Sequence, residues 1–267
     1  MRINSYDSTS FGVNLNSPKL RYDKKDFFVN INGYGKNWLW AYRTKKTADK
    51  AVDLVRKDSE PESVLKFITN GIAKANKFCM ERNKRSKTGL LRAQRDGWES
   101  PEWPWGDLIT YFGAGRYSLY KARLHETGMN QPITRPNDKI GISRPTYTHE
   151  IIHGNSGCIN DSLDYVFELS KKIFPKFIHK EVQSEDMKEV NDTIAEIRWV
   201  LAHSTPWVRG SDAISNVFMR VMYKAIGIKT YPLAEGVSLD LEAYCTELED
   251  YKKEFPYYFE KPPEIIE

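Results

Sequence analysis

Apolar positions recur at helical spacing along much of the 267-residue chain. The clearest run is Glu185 to Ala202, where Met187, Val190, Ile194, Ile197 and Leu201 fall on one stripe. That three-and-four spacing gives a helix one face to bury. Ile159 to Phe174 reads as a helix stopped by Pro175, Ser211 to Ile226 as a helix ended by Gly227, and a last helix begins near Asp240. Upstream, Thr47 to Lys57 and Pro61 to Arg82 read as two helices separated by DSEPES, where Ser59 or Ser63 is placed to cap the second. Asp107 to Glu126 carries a helical pattern. Between Asp26 and Tyr42 the pattern changes: FFVNI and WLWAY flank the turn residues NGYGKN, which predicts a β-hairpin presenting Trp38 and Trp40. GWESPEWPW, Gly97 to Trp105, is too rich in Pro and Trp for a regular element and reads as an irregular aromatic plug. Gly128 to Pro145, with three prolines and two glycines, is a long connection of the kind that often carries function. The fold class expected is mainly α, an α+β chain with one small hairpin, with residues 1–25 as a flexible N-terminus and 26–267 as a helical domain.

Composition adds a core and removes several functions. With 40% hydrophobic residues the chain can bury one. Lysine and arginine number 40 against 36 aspartates and glutamates, too balanced for the basic footprint of a dedicated nucleic-acid binder, so no nucleic-acid partner is expected. Cys79, Cys158 and Cys245 are far apart and outside any CxxC pair, which suggests neither a disulfide framework nor a cysteine zinc site and fits a reducing place of work. No apolar run approaches the roughly 20 residues of a membrane span, and the N-terminus lacks the order of a secretory signal peptide. The opening MRINSYDSTSFGVNLNSPKL is rich in Ser and Asn and poor in aliphatics, the composition of a frayed terminus or of an export signal for a contact-dependent secretion system. Arg2 after Met1 excludes N-myristoylation, which needs Gly.

Candidate chemistry concentrates in STPWVRGSDAIS, Ser204 to Ser215. Pro206 stops one helix, Gly210 permits a tight backbone, and Ser211 or Asp212 suits the N-cap of the next. Arg209 thereby stands beside a helix N-terminus, whose unpaired N–H groups, with Gly210 and Ser211, and positive dipole end suit a phosphate that a guanidinium fork also matches. The other reading is an Arg paired with a carboxylate at an ordinary capped helix, and Asp212 weighs against an anion. In GVSLDLEA, Asp240 is placed to cap the final helix or to project into a cleft as an acceptor for hydroxyls. His203, just ahead of the RGS turn, is a further ligand-binding candidate; the other reading is a histidine at a helix C-terminus, where the dipole favours it.

A second motif competes. His149-Glu150-Ile151-Ile152-His153 spells HExxH, in which a helix holds zinc between two imidazoles while the Glu activates water, with Glu168 as a conceivable third ligand. Pro145 before it and GNSG after it leave little room for such a helix. The alternative is a pair of histidines making hydrogen bonds at a loop edge, one of them lining a cleft.

The residues P-x-x-RGS-x-A from Pro206, then Arg220, Ala225, Gly227-Ile228, Pro232, Gly236 and D-x-EA from Asp240, together with the preceding IAEIRWVLAHSTP, resemble the avirulence protein B family of plant-pathogen type III effectors. The similarity lies mainly over 185–245 and needs no gap between Arg209 and Asp240. It implies a mainly helical, two-lobed fold related to the Fic/Doc (Fido) group, with ligand-binding roles for Arg209 and Asp240. The family glycosylates a host immune regulator from a nucleotide sugar, so the resemblance implies a nucleotide or nucleotide-sugar donor, no metal, a host target protein, and secretion into the host cytoplasm. QPITRP is similar to a family loop that contacts ligand and partner, adding Gln131 and Thr134 to the ligand set, although Gln131 and Asn137 depart from the family pattern. His153, in HGN, has a counterpart there too. The HPFxxGNGR motif of AMP-transferring Fic enzymes is absent. The expected activity is group transfer, most simply of a sugar; a zinc metallopeptidase and a pseudoenzyme that binds a host protein are the alternatives.

Overall fold

Helices carry most of the described chain. The computed structural model describes residues 18–27, 37–79, 88–92, 107–111, 119–121, 124–125, 132–133, 149–152, 156–178 and 181–266. Helix α1 (Trp38–Val55) starts at Asn37, whose side-chain oxygen accepts the Trp40 N–H at 2.9 Å. Trp40, Ala41, Thr44, Ala48, Ala51, Val52 and Val55 form its buried stripe. The hairpin expected over Asp26 to Tyr42 is therefore corrected: WLWAY is the opening of α1, where an N-cap and helical burial outweigh the local β preference of Trp and Tyr. Lys24–Phe27 is a 3-10 turn, and residues 28–36 of that call lie outside the described residues. Helix α2 (Pro61–Cys79) opens on proline and crosses α1 so closely that a Cβ on Gly71 would come within 2.2 Å of Thr47 Cγ2.

Short strands follow: β1 (Asp107–Tyr111), β2 (Leu119–Lys121), β3 (Leu124–His125), β4 (Pro132–Ile133) and β5 (His149–Ile152). Three of them form an antiparallel sheet in the order β2-β1-β5, with Ile109 opposite both Lys121 and Glu150, and β3 pairs antiparallel with β4. The helical pattern read over Asp107 to Glu126 is thus overturned; Ile109, Thr110, Tyr111 and Tyr120 are β-branched or aromatic residues that suit a pleated surface. The aromatic plug and most of the Gly128 to Pro145 connection lie outside the described residues.

Helix α3 (Ser156–Phe177) runs through Pro175 instead of stopping before it. Pro175 and Lys171 are both exposed, so the carbonyl left unbonded by the missing proline N–H is on the watered side of the helix. Helices α4 (Met187–Ser204) and α5 (Ser211–Ala225) form the centre of the molecule. From Val217 to Ala225 every residue of α5 is buried, as expected of a helix enclosed on all sides, here by α1, α2, α4 and the short helix α6 (Leu239–Cys245). Helix α7 (Leu248–Glu254) packs on α4, and β6 (Ile228–Lys229) pairs with β7 (Glu264–Ile265) near the C-terminus.

Arg220 is buried within this centre. Its guanidinium donates to Thr230 Oγ1 at 2.9 Å and to the Tyr231 carbonyl at 3.0 Å, between the rings of Phe27 and Phe259 at 5.9 and 5.7 Å. The Tyr22 hydroxyl donates to the Arg220 carbonyl at 2.7 Å, so the segment Pro18–Phe27 docks on α5. Leu20 and Tyr22 are buried although they fall in the stretch expected to be flexible. No described helix is long and apolar enough to cross a membrane.

Candidate functional site

The turn between α4 and α5 is held in place by its neighbours. Helix α4 ends at Thr205 in a left-handed conformation, φ 38°. The five residues Thr88–Arg92 then run beside Pro206–Arg209 and satisfy its backbone: Arg92 N–H donates to the Pro206 carbonyl at 2.8 Å, Val208 N–H to Leu90 at 2.9 Å, and Gly89 N–H to Arg209 at 3.1 Å. The Arg92 side chain adds a bond to the Thr205 carbonyl at 3.0 Å. Thr88 is itself fixed by Asn76 of α2, which accepts from the Trp40 indole of α1. A backbone with its polar groups so satisfied is rigid.

Gly210 occupies the N-cap position of α5 with φ +87°, a conformation that favours glycine, and a Cβ there would meet Thr88 Cγ2 at 3.0 Å. The expectation that Ser211 or Asp212 caps the helix is corrected. The Ser211 hydroxyl donates back to the Trp207 carbonyl at 3.0 Å, and Asp212 is drawn to α4, so no side chain caps this helix. Arg209 is exposed immediately ahead of that terminus, and the ion pairs among the described residues do not include it. The reading of Arg209 as the partner of a nearby carboxylate finds no support there.

Asp212 enters a closed ring of charge and amide. Arg198, whose side chain is fully buried in α4, pairs with Asp212 and donates through Nε to Asn216 Oδ1 at 3.1 Å; Asn216 donates in turn to Asp212 Oδ2 at 3.1 Å. Burial raises the Asp212 carboxyl to about 7, with the charge of Asp240 acting in the same direction and Arg198 opposing both. Asp240, half-buried on α6, accepts the Ser238 hydroxyl; the N-cap position of α6 is Ser238, so Asp240 is not the cap. Arg209 directly precedes Gly210 at the start of α5, and the charge of Asp240 acts on Asp212 in the first turn of the same helix.

His203 lies in the last turn of α4, as expected, with Nδ1–H donating to the Trp199 carbonyl at 2.9 Å and its ring 4.2 Å from the Trp199 indole. Gln131, Thr134 and His153 lie outside the described residues. Between the first two, Pro132–Ile133 forms β4 and pairs with β3, which contacts α4.

The HExxH reading meets a different backbone. His149–Ile152 is β5, paired with β1. Four residues of strand span about 13 Å, whereas a helix brings the two histidines of the motif to one ion. The helix required for zinc binding is therefore corrected to a strand. Glu168 is exposed on α3, and no group of three or more His, Cys, Asp or Glu side chains gathers as metal ligands among the described residues.

Arg198, Asn216, Ser238 and Arg92 are missing from the expected site. Arg198 carried a signal: a charged residue between Ile197 and Trp199, within a run buried from Ile194 to Trp199, calls for a buried partner. The AvrB_AvrC family model, described as avirulence protein, matches residues 122–262. A search of curated proteins returned no match.

Proposed function

Because the chain belongs to the avirulence protein family of type III effector-like proteins, matched over more than half of its length, we propose that it binds a nucleotide or nucleotide sugar at the N-terminal end of α5 and transfers a group, most simply the sugar, to a host protein. The observation that carries this reading is the exposed Arg209 beside a helix N-terminus that no side chain caps, on a turn clamped by Thr88–Arg92. Free first-turn amides and a guanidinium fork complement a phosphate group. The Arg198 pairing offsets the charge of Asp212, which would otherwise repel an anion from that terminus.

In the proposed step an acceptor hydroxyl oxygen attacks the anomeric carbon of the donor sugar, the bond from that carbon to the diphosphate oxygen breaks, and the nucleoside diphosphate leaves with the bonding electrons. Arg209 and the α5 amides hold the departing phosphates. Asp240, a half-buried carboxylate in the first turn of α6, takes the hydroxyl proton. Delivery into the host cytoplasm by a bacterial secretion system belongs to the same reading.

Calorimetry with a panel of nucleotides and nucleotide sugars tests the binding half. Arg209→Ala is expected to weaken the best ligand by about tenfold or more, the value of a charge-assisted hydrogen bond. Failure of every ligand to bind, or intact binding in Arg209→Ala, would sink the proposal. Intact mass of candidate host proteins after co-expression then names the transferred group, and tight binding with no mass added assigns the chain a binding role instead.

A further inference from the structure

The exposed large apolar side chains of α1 are not scattered. Trp38, Leu39 and Tyr42 are 54%, 51% and 42% exposed, and all three belong to the first five residues of the helix. The exposed stripe that begins with them continues through Lys46 and Lys50, at the helical spacing of four, while Trp40, Ala41, Thr44 and Ala48 turn into the core. One side of this helix therefore opens apolar and aromatic, then becomes basic.

Cations crown the aromatic part. Lys24 Nζ lies 5.6 Å from the Trp38 ring and 5.8 Å from the Tyr42 ring, and Lys46 Nζ lies 4.6 Å from the Tyr42 ring. The same lysines act on the phenol: Tyr42 is held below its ordinary value by the hydrogen bond and charge of Lys46, with Lys24 and Lys45 adding to it. Of the nearby carboxylates, Asp49 is occupied by Lys45 and Lys224, Asp26 is buried against Arg220, and the exposed Asp23 accepts the Lys25 backbone N–H. The surface thus complements an anionic partner that also takes up apolar side chains.

We propose that this face, Trp38, Leu39 and Tyr42 ringed by Lys24 and Lys46, seats the protein on the surface of a membrane rich in anionic phospholipid. Trp and Tyr place an amphipathic ring at the headgroup level, Leu enters the acyl boundary, and lysines snorkel to the phosphates. Aromatic rings and a leucine beside lysines on one helix face are the composition of a membrane-interface helix, whereas a peptide is ordinarily read in a groove or along a sheet edge.

The test is co-sedimentation of the full chain with vesicles of phosphatidylcholine alone and of phosphatidylcholine mixed with phosphatidylserine, with polyglutamate as a competing acidic partner. Binding to the mixed vesicles, absent from neutral ones and reduced by high salt, is the expected result. Lys24→Glu and Lys46→Glu should each weaken it by about fivefold or more, and the pair Trp38→Ser with Leu39→Ser by about tenfold or more. All four side chains are on the surface, so thermal melting should be unchanged, and a variant that melts early is replaced by Lys46→Gln with the same readout. No binding to the mixed vesicles, or binding that these substitutions leave intact, overturns the proposal. Capture by polyglutamate alone, lost in the lysine variants, assigns the face to an acidic protein and overturns it equally.

Discussion

Asp212 is subject to opposing influences: burial and Asp240 favour its neutral form, and Arg198 favours its charge. With the folded value near 7 and the free-acid value at 3.8, the native state holds a proton that the unfolded chain has released throughout that interval. The contribution of this group is therefore complete below the lower value and is lost as pH rises towards 7. The stability of the wild type relative to Asp212→Asn is expected to fall as pH increases across that interval, read from urea unfolding at a series of pH values. A constant difference would show that the carboxyl titrates as it does in water. Glycine offers a second comparison. Gly210 and Gly236 both have positive φ, at +87° and +78°, but only Gly210 faces an obstacle, Thr88 Cγ2 at 3.0 Å, while nothing lies within 4 Å of a Cβ on Gly236. Gly236→Ala should cost about 1 kcal/mol from backbone strain, and Gly210→Ala about 2 kcal/mol once the contact is added. Equal costs from chemical denaturation would mean that Thr88 moves aside freely.

Helices α1 and α2 pack closely at Gly71, and the test of that contact belongs to the pair of elements. Gly71→Ala would drive a methyl to 2.2 Å from Thr47 Cγ2 and is expected to destabilise by on the order of 2 kcal/mol. Thr47→Ala in the same chain should recover part of that loss, and simple additivity of the two substitutions would place the strain elsewhere. The elements also show how far sequence alone reaches. The stripe on α4 was legible because Val190, Ile194, Ile197 and Leu201 repeat at helical spacing and all are buried. The start of α1 was not, because NGYG carries strong turn chemistry and the deciding contact, the Asn37 side chain on the Trp40 N–H, is a single hydrogen bond. Strand β1 was missed because its pairing with β2 and β5 is set by segments distant in the chain. The positions of Arg209 and Gly210 between two helices, and of Asp240 in the first turn of α6, were legible from proline, glycine and helix-start chemistry. The ring of Arg198, Asp212 and Asn216 was not, since it depends on how α4 and α5 pack.

At the scale of the whole molecule, the first described residues bind to the most buried helix. Leu20, Tyr22 and Phe27 are buried, and Tyr22 bonds to the Arg220 carbonyl. Deleting residues up to Phe27 is expected to lower stability by about 5 kcal/mol, the order set by burying three large side chains, visible as an early urea midpoint. An unchanged midpoint would mean that this segment rests on the helices without holding them. The strap of Thr88–Arg92 on the α4–α5 turn has another bearing. The bond from Arg92 to the Thr205 carbonyl joins positions 113 residues apart in sequence. Helices form from local contacts, but a contact at that separation must wait for a long loop to close. A chain returning from the unfolded state is therefore expected to regain its helical signal first and the setting of Arg209 afterwards, so that the proposed ligand recognition is the last property to mature.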